Sequence, residues 1–190
     1  MSGNTYVFSD PHFNHANIIK YCNRPFSGVE EMNTTIIDNI NEIVMPGDIL
    51  WCLGDWVFGR NKAENAKKFL DRINCKTVNL IWGNHDKKRD MRGLFNQEHD
   101  MYTIRIHDRG ESKSIVLCHY AMKIWNKSHH GVWHLYGHSH GTLPDDPYSM
   151  SFDVGVDCHD FKPLGFDDIK KIMDKKKKFK PIDHHNASTT

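Results

Sequence analysis

Long apolar runs are missing from this chain, and so is any lopsided charge. No stretch approaches the roughly 18 consecutive apolar residues of a membrane span, so no membrane role is expected. Met1 to Asp10 holds no basic segment followed by an apolar stretch, so no secretory signal is read there. Formal net charge is +1 with neutral histidines, which leaves no global field to gather nucleic acid. Five cysteines (Cys22, Cys52, Cys75, Cys118 and Cys158) are scattered, odd in number and without C-x-x-C spacing. That usage fits a reducing compartment, and a cytoplasmic protein is the expectation. Cys52 and Cys118 fall in apolar runs and are expected as buried thiols. Repeats and linkers are absent too. The 190 residues read as one domain over 1–174 with a basic and polar tail over 175–190. Lys175 to Lys178 with Lys180 reads as a solvated helix end and tail, the alternative being an anionic-polymer contact.

Histidine, by contrast, is abundant: 14 in all. Five of them fall in short clusters that each follow a β-type run. In chain order the clusters are Asp10-Pro11-His12, Gly54-Asp55, Gly83-Asn84-His85-Asp86, His119, and Gly137-His138-Ser139-His140. Oxygen and imidazole ligands at several strand ends converge on one crevice. Two divalent cations roughly 3.5–4 Å apart need a bridging oxygen ligand, and a carboxylate supplies two oxygens; Asp55 is the best candidate. Imidazoles, carboxylates and an amide oxygen suit Mn, Fe, Zn, Co or Ni better than Ca or an all-oxygen Mg site. No cysteine joins the set, which argues against a thiolate zinc site.

Periodicity supplies the elements between the clusters. Tyr6-Val7-Phe8 is a short strand. Ile36, Ile37, Ile40, Ile43 and Val44 recur at helical spacing until Pro46-Gly47. Ile49 to Leu53 is the next strand. Ala66, Phe69, Leu70 and Ile73 mark a second helix with Asn61 as its cap, and Val78 to Trp82 is a strand. Arg105 to Asp108, the turn Arg109-Gly110-Glu111 and Ile115 to Cys118 form a hairpin or meander ending at His119. Trp133 to Tyr136 leads to His138. Phe152, Val154 and Val156 alternate, predicting a last strand near Ser151 to Asp157, and Ile169, Ile172 and Met173 suit a final helix. The fold class is α/β, two packed sheets flanked by helices.

The ordered set D-x-H, G-D, G-N-H-D, H and G-H-x-H resembles the calcineurin-like metallophosphoesterase family over roughly Tyr6 to Asp157. The segment His12 to Ile19, with Tyr21-Cys22 and Arg24-Pro25-Phe26, is further similar to a compact branch found in bacteria and their phages. The resemblance implies a four-layer α/β/β/α sandwich of two mixed sheets. It implies two divalent transition metals, manganese foremost, with Fe, Zn, Ni or Co as alternatives. Asp10, His12 and His140 would hold the first; Asn84, His119 and His138 the second; Asp55 would bridge. The implied activity is hydrolysis of phosphoric mono- or diesters by a metal-bridging hydroxide, with His85 donating a proton and Asp86 orienting it.

The expected partner is a small, nucleotide-like phosphoester, with Asn84, His85 and Arg24 lining its site; Arg24 would grip phosphate bidentately, with a surface ion pair as the alternative. A nuclease or a non-catalytic metal-bound scaffold are the competing functions. Trp56 and Trp125 lie in crevice loops and serve either as packing or as base-stacking rings. His129, His130 and His134 are read as loop or supporting residues.

Overall fold

The first strand, β1 (Thr5–Phe8), alternates in the way that decides the whole architecture. Val7 points into one apolar cluster and Phe8 into another. A strand buried on both faces needs cover on both. A computed structural model of the chain, describing residues 3–108 and 110–177, provides it with helices on one side and a second sheet on the other.

The first sheet has the order β4-β3-β2-β1-β9. Strands β2 (Ile49–Cys52), β3 (Thr77–Ile81) and β4 (Glu98–His99) run parallel to β1, and β9 (Leu164–Gly165) is antiparallel at the edge. The second sheet has the order β5-β6-β7-β8. Here β5 (Met101–Asp108) and β6 (Glu111–Cys118) form the expected hairpin. Parallel strands β7 (Trp133–Tyr136) and β8 (Ser151–Asp153) complete it. Both sheets are therefore mixed, and with their flanking helices they make an α/β sandwich.

Helices connect the parallel strands. Two short ones, α1 (Ala16–Tyr21) and α4 (Lys88–Met91), carry too few apolar positions for a periodic signal. The long α2 (Val29–Ile43) buries Met32, Ile36, Ile37 and Ile40, one stripe at helical spacing. With α3 (Lys62–Leu70), through Ala66 and Phe69, it covers Phe8, Leu50, Cys52 and Leu80. Between the sheets Trp51, Leu53 and Ile81 meet Ile115, Leu117 and Leu135; α5 (Phe166–Met173) adds Ile169 and Met173 to that cluster. Trp56 is fully buried against Phe8, Phe13 and Phe95, so it is a packing residue.

Three expectations change. The last strand stops at Asp153, and a 3-10 turn takes over at Val156–Cys158. The alternating valines mislead because Val154 enters the inter-sheet core whereas Val156 enters the helix-side core, across a chain bend. Asn61 does precede α3, but with φ 53° and no side-chain cap bond. Cys52 is buried, but Cys118 is only partly so. Of the tail, Lys176 pairs with Asp145 and the Lys177 N–H donates to the Pro147 carbonyl; Lys178 and Lys180 lie outside the described residues. No helix among the described residues is long and apolar enough to cross a membrane.

Candidate metal centre

All five clusters leave the C-terminal ends of β1, β2, β3, β6 and β7, which puts them on one rim of the sandwich, where ligands of parallel sheets bind. The backbone there is strained. Asp10, His12, Asp55, His138 and His140 have φ of 58°, 50°, 55°, 68° and 47°. Left-handed conformations cost non-glycine residues energy and gather at sites where side-chain direction matters. The glycines of the clusters have a separate role. A Cβ on Gly54 would lie 2.5 Å from His119 Nδ1, one on Gly83 2.2 Å from Asp55 Oδ1, and one on Gly137 2.3 Å from Asp10 Oδ2. The loops approach so closely that only glycine fits.

The side chains divide into two groups around Asp55. Asp10, His12 and His140 offer ligand atoms within 4.8 Å of one another, and so do Asp55, His119 and His138. Asp55 Oδ2 lies 3.4 Å from His12 Nε2 and 3.6 Å from His119 Nε2, so one carboxylate oxygen faces both groups. Asn84 Oδ1 is 2.9 Å from His119 Nε2 and 2.9 Å from His138 Nδ1. All seven predicted ligands are thus brought together.

Their supports fix the ring nitrogens. His140 Nδ1 donates to Asp157 Oδ2 at 2.7 Å, which leaves Nε2 toward Asp10 Oδ1 at 4.0 Å. His119 Nδ1 donates to the Leu53 carbonyl at 2.7 Å. Its Nε2 then carries a lone pair facing the lone pairs of Asn84 Oδ1, a contact that needs a proton or a cation between them. Asp55 Oδ1 accepts from the His85 N–H at 2.8 Å, and Asp10 Oδ2 from the His138 N–H at 2.9 Å. Each carboxylate thus keeps one oxygen for the crevice.

Two buried atoms test whether these residues fit cations. Asp10 Oδ1 and His12 Nε2 have no hydrogen-bond partner. Orphaned buried acceptors on a carboxylate and an imidazole are costly unless something positive sits between them. Burial pushes Asp10 up to about 7, opposed by His140 and reinforced by Asp55. Burial also holds His12 far below the ordinary imidazole value, with His140 and Arg24 adding to it. Both shifts come first from burial: it disfavours charge on the Asp10 carboxyl and on the His12 ring, and a metal would be held by the carboxylate and the neutral imidazole that such a pair offers. The donor set fits the two-metal expectation.

His85 stands at the mouth, its ring nitrogen 4.0 Å from Asp55 Oδ2 and its side chain 41% exposed. Its main chain is held at the other end as well, since buried Lys62 donates from Nζ to the carbonyls of Val57 (2.7 Å) and His85 (2.5 Å). Asp86 does not serve as its orienting partner. The Asp86 carboxylate accepts the N–H groups of Asp55, Trp56 and Gly83, tying the second cluster to the third. Adjacent side chains diverge here, and Asp86 is a loop-building residue.

Arg24 is a second correction. It does not line a phosphate site. Its buried guanidinium makes a bidentate pair with Asp157 at 2.8 Å, and donates to the carbonyls of Pro11 and Asp10. It supports the cluster from behind. Asp157, which the alternating pattern placed in a strand, takes both Arg24 and His140. A hydrogen-bonded carboxylate behind a ligating histidine fixes its tautomer and ring orientation. Cys22 offers its thiol within 4.8 Å of His140 and Asp157. Neither Asp157 nor Lys62 has a local sequence signature; both are recognised only by where the loops bring them.

The fold and cluster define a two-sheet α/β sandwich with a polar, histidine-rich centre on its strand-end rim. No family model matches the sequence. The chain is 38% identical over 182 residues to the protein named Uncharacterized protein MJ1445 of Methanocaldococcus jannaschii, covering 93% of this chain and 95% of that protein. It belongs to the same family as that archaeal protein. Among solved structures it resembles that of the Protein of Unknown Function AQ665 from Aquifex aeolicus, with TM-score 0.66 and 23% identity, over 90% of this chain and 99% of the other. That likeness concerns the fold.

Proposed function

We propose that this chain is a dinuclear metal-dependent phosphoesterase of the calcineurin-like kind, acting on small phosphoric mono- or diesters. One observation carries the reading: a single oxygen, Asp55 Oδ2, lies between the Nε2 atoms of His12 and His119, each heading its own ligand group. Asp10, His12 and His140 would hold one cation, Asn84, His119 and His138 the other, with Asp55 shared. Manganese leads the candidates; Fe, Zn, Ni or Co fit the same donors. When bound, such a pair supplies Lewis acidity at the phosphoryl oxygens and lowers the pKa of water.

The remaining work falls to the chain. His85 is the one cluster histidine outside the ligand set, and its exposed ring at the mouth can reach a substrate oxygen. Its part is to donate a proton or hydrogen bond to the phosphoryl or leaving-group oxygen. Lys62 and the Asp55 carboxylate hold its backbone from both ends. Asn84 contributes its amide next to the same oxygen. The test is a metal-reconstituted sample, assayed for metal content and for hydrolysis of bis-p-nitrophenyl phosphate and p-nitrophenyl phosphate. About two metals per chain with turnover of either ester supports the reading. One metal at saturation, or two with neither ester cleaved, sinks it.

A further inference from the structure

A cavity of about 490 Å³ lies on the outer face of the second sheet, beside the metal cluster. Its size is that of a small-molecule site. Met122, Trp125, Tyr136, Leu143, Pro144 and Tyr148 form its apolar lining. The walls belong to the same loops as the ligands. Ala121 lies two residues beyond His119, Tyr136 directly precedes Gly137-His138, and Leu143 follows His140 by three. Tyr120, between His119 and the lining residue Ala121 in the chain, has its ring 4.9 Å from that of His119 and 4.8 Å from that of His138.

Of this lining, Leu143 and Tyr148 are two of the eight large apolar side chains left exposed among the described residues, and Tyr120 and Ile124, which adjoin Ala121, Lys123 and Trp125 in the chain, are two more. Clustered exposed apolar groups mark binding sites far more than scattered ones do. Three aromatic rings in one small cavity select a flat π-face over a flexible chain. Lys123, Asp146 and Ser149 add donors and acceptors at the wall, which suit the edge of a heterocycle.

We infer that this cavity is the subsite for a flat aromatic ring on the ester group of the substrate, a nucleobase or a simple aryl ring. The inference rests on the phosphoesterase reading, because it places the phosphate at the cluster and the ring next door. Tyr148 and Leu143 are its accessible walls, and neither belongs to the metal centre.

Binding separates the two ideas. Adenosine 5′-monophosphate, phenyl phosphate and ribose 5-phosphate are titrated into the metal-free full chain by calorimetry. The aromatic probes are expected to bind at least about tenfold more tightly than ribose 5-phosphate, as one base–aromatic stack is worth. Tyr148→Ala is expected to cost most of that preference and Leu143→Ala part of it, with ribose 5-phosphate unchanged in both. Preference for the nucleotide over phenyl phosphate identifies the ring as a heterocycle; equal binding identifies a plain aryl subsite. No preference over ribose 5-phosphate, or a preference untouched by both substitutions, overturns the inference. Ring preference with neither phosphate release from these monoesters nor cleavage of bis-p-nitrophenyl phosphate by the metal-loaded protein keeps the ring site and removes the esterase reading. Release at equal rates from all three compounds, unchanged in both variants, does the reverse.

Discussion

The two halves of the centre are built differently. The half around Asp10, His12 and His140 is deep: Asp10 and His12 are buried, and behind His140 stands the ion pair of Asp157 and Arg24. The half around Asn84, His119 and His138 is shallow. Asn84 and His138 are exposed, and His119 leans on a neutral backbone carbonyl. A buried carboxylate raises the basicity of the imidazole it holds more than a carbonyl does. Burial pulls His140 down, yet the Asp157 hydrogen bond and further contacts push it up to about 10; His138 is lowered by burial and by His119. The contrast implies one cation held firmly and one exchanged readily, on the dinuclear reading.

The strongest way to break that contrast is to remove what the halves share. Asp55→Ala is expected to lose both metals and all measurable turnover, with metal content read by mass spectrometry. Retention of one tightly bound metal would show that Asp55 serves a single half. Next in size is His85→Ala, which leaves both halves intact. Its metal content should equal that of the parent while turnover falls roughly 10²–10⁴-fold. Undiminished turnover on an unactivated ester would remove the proton-donor role.

Asp157→Asn sharpens the comparison, because it weakens only the deep half. Affinity for the tighter metal should fall about 10–100-fold, with the weaker one unchanged, in a two-site titration. Equal losses at both sites would mean that the halves are not independent. Arg24→Ala attacks the same support by leaving Asp157 unpaired in a buried position. A stability loss of about 3–5 kcal/mol is expected in chemical denaturation.

The smallest effect lies off the centre and serves as its control. His134 is fully buried, its Nδ1 donating to the Val116 carbonyl and its Nε2 accepting the Met122 N–H. Both nitrogens are satisfied in the neutral ring, and burial lowers it to about 4. Below the unfolded value near 6.5 the unfolded chain binds the extra proton and the native one does not, so stability falls as pH drops from 6.5 toward 4. Between pH 7 and 5 that amounts to about 2 kcal/mol for metal-free protein, at about 1.4 kcal/mol per pH unit below 6.5. His134→Gln should flatten the slope by that amount; an unchanged slope would assign it elsewhere.

Much of the site was legible because strand-end clusters are local words. Gly54-Asp55 or Gly137-His138-Ser139-His140 states residue type, turn and position together, and alternation in Tyr6-Val7-Phe8 states two buried faces. Residue types and strand ends, read in order, thus determined the seven side chains that gather on one rim and the two-sheet α/β class. Tertiary structure alone decided which charges stand behind them. Arg24 and Asp157 are 133 positions apart, and Lys62 reaches the His85 carbonyl across 23. A guanidinium in a loop reads the same whether it faces phosphate or a carboxylate in the interior. Likewise Asp86 is spelled like a catalytic partner of His85, but a side chain's direction follows from which backbone amides the folded loops present to it. Long-range pairing leaves no local periodicity, because the contacts that fix it exist only once the two sheets have closed.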